Sequence, residues 1–499
     1  MMKLKVFLIS LAAFALSAKA DIVPNSLFSD HAVLQRDMIV PVWGTARTGE
    51  KVTVEFAGQK AETVATDGKW TVKLKPLKAG GPFVMTIKGD NSVTINDLLV
   101  GEVWVCSGQS NMAFKLSKNT FNGEQEIANA NYPQIRQYNV PGKPSHENVT
   151  DVNGSWKICT PQSVTGFTAV GYFFARDLYK KLNIPFGIIL SAVGGTPAEF
   201  WTSKEAMLAD PLLKNMGMSY DNALATYPAR LAKYKEDEPA LLEKYNKDVE
   251  TAKSENKPAP RKPTAPQNPA QTGSSGGLYT GMIKPLQPYA IKGCIWYQGE
   301  ANSSGAKTYQ TLFPAMIADW RKAWGQGTFP FLFVQIAPHK GMKPEIREAQ
   351  LLTSQNTPNT AMAVITDCGN AEDIHPTLKQ PVGARLALAA RVLAYKEVIE
   401  YSGPVYQSMT VKGSNAILTF THQKKLVAKD GPLKGFTIAG PDKVFVPATA
   451  VIVNGTVQVS SPTVTQPVAV RYGWDNVPDV NLYNEAELPA SPFRTNMDL

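Results

Sequence analysis

Five histidines and four cysteines among 499 residues leave few side chains that ligate soft metals or exchange protons near neutral pH. No His/Cys/Asp/Glu cluster has metal-ligand spacing, so neither a metal nor another cofactor is expected. Also missing are a Walker-type loop, a dinucleotide-binding glycine fingerprint and the interleaved basic and aromatic residues of an RNA reader. Nucleotide-driven chemistry and nucleic-acid partners are set aside with them. Charged residues amount to only 19% against 43% hydrophobic, a balance that excludes a largely disordered chain. With 37 glycines and 36 prolines, neither collagen-like nor low-complexity architecture fits. The formal charge of +9 is spread thinly, so an acidic ligand is tolerated without being demanded.

What is present begins with a leader. Two lysines, an apolar run over 6–18 and the small residues of Ala18-Lys19-Ala20 read as a secretory signal over 1–20. The expected location is secreted or periplasmic, and removing Lys3, Lys5 and Lys19 lowers the net charge by three. No later run reaches the roughly 20 apolar residues of a membrane helix, so no stable insertion is expected. Export permits disulfides. Cys106, Cys294 and Cys368 nevertheless sit in or at the end of apolar runs, where a free thiol behaves as a small buried hydrophobe. Buried thiols are therefore favoured over pairing, with Cys159 left open.

The length exceeds what one core sustains. Short alternating runs at 39–43, 52–56, 70–74 and 83–87, separated by glycine turns, predict a β-sandwich over 21–98. Over 99–400 buried-strand runs alternate with helical stretches, the pattern of an α/β unit with a parallel sheet. Its strands are expected at 103–106, 187–191, 293–297, 331–335 and 361–365, and helices at 169–182 and 381–395. An insertion over 204–277 carries a charged helical pattern and then Pro-rich and Gly/Ser-rich tether sequence. Alternation returns over 401–499 as a second β-domain.

In open parallel sheets ligands bind beyond the carboxyl ends of the strands. Five exits carry polar or glycine-rich clusters: Ser107-Gly108-Gln109-Ser110-Asn111-Met112, Val193-Gly194-Gly195-Thr196, Gln298-Gly299-Glu300-Ala301-Asn302, Ala337-Pro338-His339, and 367–375. Acyl transfer needs a nucleophile, a base, a group that orients the base, and donors for an oxyanion. Ser110, on a tight turn after Gly108, fits the first. A serine at such a turn is more often a helix cap, and it gains weight only with His375 and a nearby acid. Asp373, Glu372 and Glu300 all remain open for that acid. Gly194 or Gly195 offers a backbone N–H, Asn302 or Gln298 a side-chain amide, and Gln109 joins them as a substrate-binding candidate. Glu300 with Asp373 also permits a two-carboxylate glycosidase, which would leave Ser110 and His375 without a task. A non-catalytic sugar-binding protein is the other class.

The blocks Gly101-Glu102-Val103-Trp104 with Ser107 to Met112, Trp296-Tyr297-Gln298-Gly299-Glu300-Ala301-Asn302, and Asp373-Ile374-His375-Pro376 resemble the sialate O-acetylesterase family of SGNH-type hydrolases. The resemblance extends to Asn481-Leu482-Tyr483-Asn484 and the tail beyond it. It implies a three-layer α/β/α SGNH-type domain with N- and C-terminal β-sandwich-like flanks, acting on acetylated carbohydrate. By position it implies Ser110 as nucleophile, His375 as base, Asp373 as its partner, and Gly195 with Asn302 near the oxyanion blocks. The asparagine of the third block stands one place later than in general SGNH enzymes. Related acetylxylan esterases keep Glu300 in contention as the acid. The expected activity is a serine-esterase removal of acetyl from sugar hydroxyls, on sialic acid first and on xylan or xyloglucan as the alternative. For a sialic carboxylate, Arg136 is the arginine considered.

Overall fold

In a computed structural model, residues 21–496 are described. The expected leader lies outside them. Seven strands form the central path: β1 (Ser92–Gly108), β2 (Tyr132–Asn139), β3 (Ser155–Cys159), β4 (Phe186–Ala192), β5 (Gly293–Tyr297), β6 (Phe331–Val334) and β7 (Thr360–Ala363). Their order is β3-β2-β4-β1-β5-β6-β7, every neighbouring pair parallel except β3 with β2. The protein is thus mixed α/β, with a largely parallel central sheet and additional antiparallel sheets. β2 and β3 are strands that sequence patterning does not announce. The buried stretch of β2 carries Arg136 and Gln137, and such a strand persists only because its polar groups find partners. Gln137 donates to Asn139 and Gly166 and accepts from the Thr168 N–H.

Side chains alternate between two cores along each strand. Trp104 and Cys106 of β1 join Phe173 and Phe174 of α2 (Ala169–Leu182, after the four-residue α1, Ser110–Ala113). Val103 and Val105 join the other core with Trp296, Phe331 and Phe333. Helix α3 (Ser219–Ser254) has no buried residue and carries the charged pattern of the insertion. Helices α4 (Ala306–Trp324), α5 (Pro344–Asn356) and α6 (Gln380–Leu393) complete the covers, α4 giving Phe313 and Trp320 to the Trp296 core and α6 giving Leu386 and Ala390 to the Trp104 core. Each large apolar side chain enclosed in this way contributes about 1.5–3 kcal/mol.

β1 binds the molecule together. Its first half pairs antiparallel with Gly80–Lys88, Leu98 opposite Phe83, and its second half enters the central sheet, Glu102 opposite Phe186. The predicted division at 98/99 therefore falls inside one continuous strand. After α6, two four-stranded antiparallel sheets and one two-stranded pair close the chain. All four cysteines are free and buried. Among the described residues no helix is long and apolar enough to cross a membrane.

Candidate active site

β1 ends between Ala192 of β4 and Tyr297 of β5. Gly108 makes that end possible: its φ of 134° suits glycine, and a Cβ there would lie 2.2 Å from the Tyr297 carbonyl oxygen. The Gln109 N–H bonds the same oxygen at 3.0 Å, and α1 starts at the next residue. Ser110 is thereby lifted above the sheet edge, its backbone N–H at a helix start where no intrahelical partner exists.

The loop after β7 brings His375 back across the sheet. Asn370 Oδ1 accepts from the N–H groups of Glu372 and Asp373, and Asp373 Oδ1 accepts from the His375 N–H at 2.8 Å, so side chains close the turns that regular structure does not. His375 Nε2 then lies 2.8 Å from Ser110 Oγ, two atoms whose residues are 265 positions apart. Asp373 Oδ1 stands 3.8 Å from His375 Nδ1, beyond a hydrogen bond and within electrostatic reach. Glu372 is exposed and paired with Lys340.

Gly194 packs against the serine, since a Cβ there would come within 3.3 Å of Ser110 Cβ. Gly195, in a left-handed conformation at φ 72°, faces open space. Asn302 donates from Nδ2 to Glu199 and accepts at Oδ1 from the Ala198 N–H and from Gln298 Nε2. Gln298 is fully enclosed, with Tyr309 donating to its Oε1. Both ends of that amide are engaged, so Gln298 supports Asn302 from behind instead of offering a donor itself. Gln109 Oε1 accepts from the Ala301 N–H, tying the serine turn to the third block.

Two of the candidates, Glu300 and Arg136, make no hydrogen bond to Ser110 or His375. Glu300 makes no hydrogen bond to His375; it is buried, and Asn111 Nδ2 donates to its Oε1 at 2.7 Å. Burial pushes its carboxyl above the ordinary range, against the Asn111 hydrogen bond and the pull of Lys379. Arg136 sits at the start of the strands, where β2 meets Gly187 of β4, and is paired with Asp97. It is at the sheet end opposite Ser110. His339 lies by Gly341 and Asn476, outside the cluster. Sequence reading missed Asn111 and Lys379. Lys379 Nζ donates to Asn111 Oδ1 at 2.6 Å, and its side chain is enclosed. Both residues fall within the quoted blocks or just after them, and that proximity was the available signal; nothing in the pattern marks a lysine as buried. No group of three or more potential metal ligands occurs among the described residues.

Comparison with known proteins places the chain in a family. The profile of the family described as "Carbohydrate esterase, sialic acid-specific acetylesterase" matches residues 100–233 and 268–392. The sialate O-acetylesterase of Rattus norvegicus is 30% identical over 536 aligned positions, covering 94% of this chain and 93% of that protein. That of Homo sapiens is 29% identical, covering 94% and 91%. A carbohydrate acetylesterase of known structure from Xanthomonas citri superposes with a TM-score of 0.80 at 39% identity, over 96% of this chain and all of that one. The profile covers more than half of the chain and the relatives nearly all of it, so the chain belongs to the sialic acid-specific acetylesterase family of carbohydrate esterases and is a carboxylic ester hydrolase.

Proposed function

We propose that this chain is a secreted carbohydrate O-acetylesterase whose nucleophile is Ser110 and whose base is His375. The observation that carries the reading is the 2.8 Å approach of His375 Nε2 to Ser110 Oγ. Ser110 Oγ attacks the acetyl carbonyl while Nε2 takes its proton; the carbon–oxygen bond to the sugar breaks and the proton passes to the departing sugar oxygen. A water then loses its proton to Nε2 and attacks the acetyl-serine, releasing acetate and restoring the hydroxyl. Asp373, 3.8 Å from Nδ1, faces the imidazolium charge that forms in each half. The Ser110 and Gly195 N–H groups, with the Asn302 amide, are the donors assigned to the oxyanion.

Helical covers on both faces of the sheet support a three-layer α/β/α unit of SGNH type, with 21–98 and 401–499 as β-domain flanks of a catalytic unit spanning 99–400. The leader at 1–20 supports export. Acetyl on sialic acid is the substrate that the relatives' names favour. One observation favours a neutral acetylated saccharide such as xylan: Arg136 is paired with Asp97 at the far end of the sheet. Acetate release from acetylated sialic acid and from acetylated xylo-oligosaccharide, measured side by side, ranks the two. Ser110→Ala is expected to abolish both activities with the melting temperature retained; turnover surviving in that variant would end the proposal.

A further inference from the structure

Asn111 follows the serine, and Ile374 precedes the histidine. Asn111 Nδ2 donates to the Ile374 carbonyl at 3.0 Å, so a second bond runs beside the Ser110–His375 contact and ties the same two loops. The rest of that amide meets two charged groups. Nδ2 also donates to Glu300 Oε1, and Oδ1 accepts from Lys379 Nζ. With Lys379 as an ammonium, which only donates, and Glu300 as a carboxylate, which only accepts, one orientation of the amide satisfies both and the flipped one satisfies neither. We infer that Lys379 and Glu300 are positioning residues of the esterase, holding the Asn111 amide so that it clamps Ile374 and keeps His375 on Ser110.

The inference rests on the proposed roles of Ser110 and His375. Its geometry is specific. Lys379 is the residue before α6, in the same loop as His375, and stands over the rings of Phe114 at 4.9 Å and Tyr297 at 5.3 Å. Those contacts hold a cation where water is excluded. Burial pushes its ammonium down to about 7, against the pull of Glu300, Cys368 and Asp373. Glu300 keeps one oxygen, Oε2, without a partner. A buried lysine and a buried, half-satisfied carboxylate joined only through an asparagine cost stability that an apolar core would not. What the arrangement provides is a fixed amide next to the reacting serine.

The test is a double-mutant cycle on turnover of an aryl acetate, with melting curves for every variant. Lys379→Met and Asn111→Ala are each expected to lower kcat on the order of 10-fold to 100-fold, the scale of a misplaced reacting group, with KM changed less than about twofold. The double variant should be no slower than Asn111→Ala, because Lys379 acts through that amide. Wild-type kcat in Lys379→Met, or losses that multiply in the double variant, would overturn the inference. Should Lys379→Met not fold, Glu300→Gln keeps the shape of the site. A severalfold lower kcat that vanishes as an added effect in the Asn111→Ala background supports the inference, and an unchanged kcat overturns it. Activity lost in Ser110→Ala but indifferent to both partners removes this inference alone, whereas activity retained in Ser110→Ala removes the reading beneath it.

Discussion

Water reaches His375 and Asp373, and that sets the size of their interaction. The His375 side chain is 42% exposed and that of Asp373 56%, with 3.8 Å between Nδ1 and Oδ1. In water two unit charges at that distance attract by about 1 kcal/mol. Asp373→Asn is accordingly expected to lower kcat by no more than about tenfold, with the turn kept because the amide oxygen still accepts from the His375 N–H. Steady-state turnover checks this, and a loss of several thousandfold would mean that Asp373 closes onto Nδ1 in a drier complex. Lys379 gives a pH signature of its own. Its folded value of about 7 lies below the ordinary 10.5, so between those limits the unfolded chain binds more protons and stability rises with pH. The wild-type melting temperature measured against that of Lys379→Met is expected to gain across this window, and a flat difference would contradict the buried-lysine account.

At the scale of elements, the buried parallel strands were legible because strands covered on both faces are near-continuous apolar runs. β5 was placed to the residue and α2 to both ends, the latter because Thr168 caps its start and the left-handed Asn183 its end. β2 escaped because its enclosed residues include Arg136 and Gln137. α4 carries Pro314 within it, and a proline inside a helical pattern reads as a break. Of the site, the blocks carry the pairing of Ser110 with His375, and Asp373 stands 3.8 Å from the imidazole. Glu300 was visible as a charge at a strand exit, but which neighbour it meets is decided by Asn111 on another strand's exit. The insertion makes its own prediction. No residue of α3 is fully buried, and Arg230 in its first half lines the same groove as Thr264 of the returning tether. Replacing residues 231–263 by a short glycine–serine link is expected to leave unfolding cooperative and aryl-acetate turnover within about twofold, since a segment with no fully buried residue contributes little to stability. Loss of cooperative unfolding would show that α3 supports the core.

The whole molecule is knit by contacts that cross its β-rich ends. β1 is shared between the N-terminal sheet and the central one. At the other end Arg494 grips the buried Glu348 of α5 at 2.8 and 2.9 Å, and Ser491 accepts from Gln335 just beyond β6. The C-terminal segment therefore packs against the central sheet instead of hanging from it, and a site drawn from three strand exits and one long loop inherits that rigidity. Whether that site works as a serine esterase is decided most directly by covalent capture. A fluorophosphonate probe, followed by mass spectrometry of the digested protein, is expected to label the peptide carrying Ser110 and no other serine, and to label it far more slowly in His375→Ala. An unlabelled Ser110 in an enzyme that still releases acetate, or labelling at another serine that tracks with activity, would contradict the account.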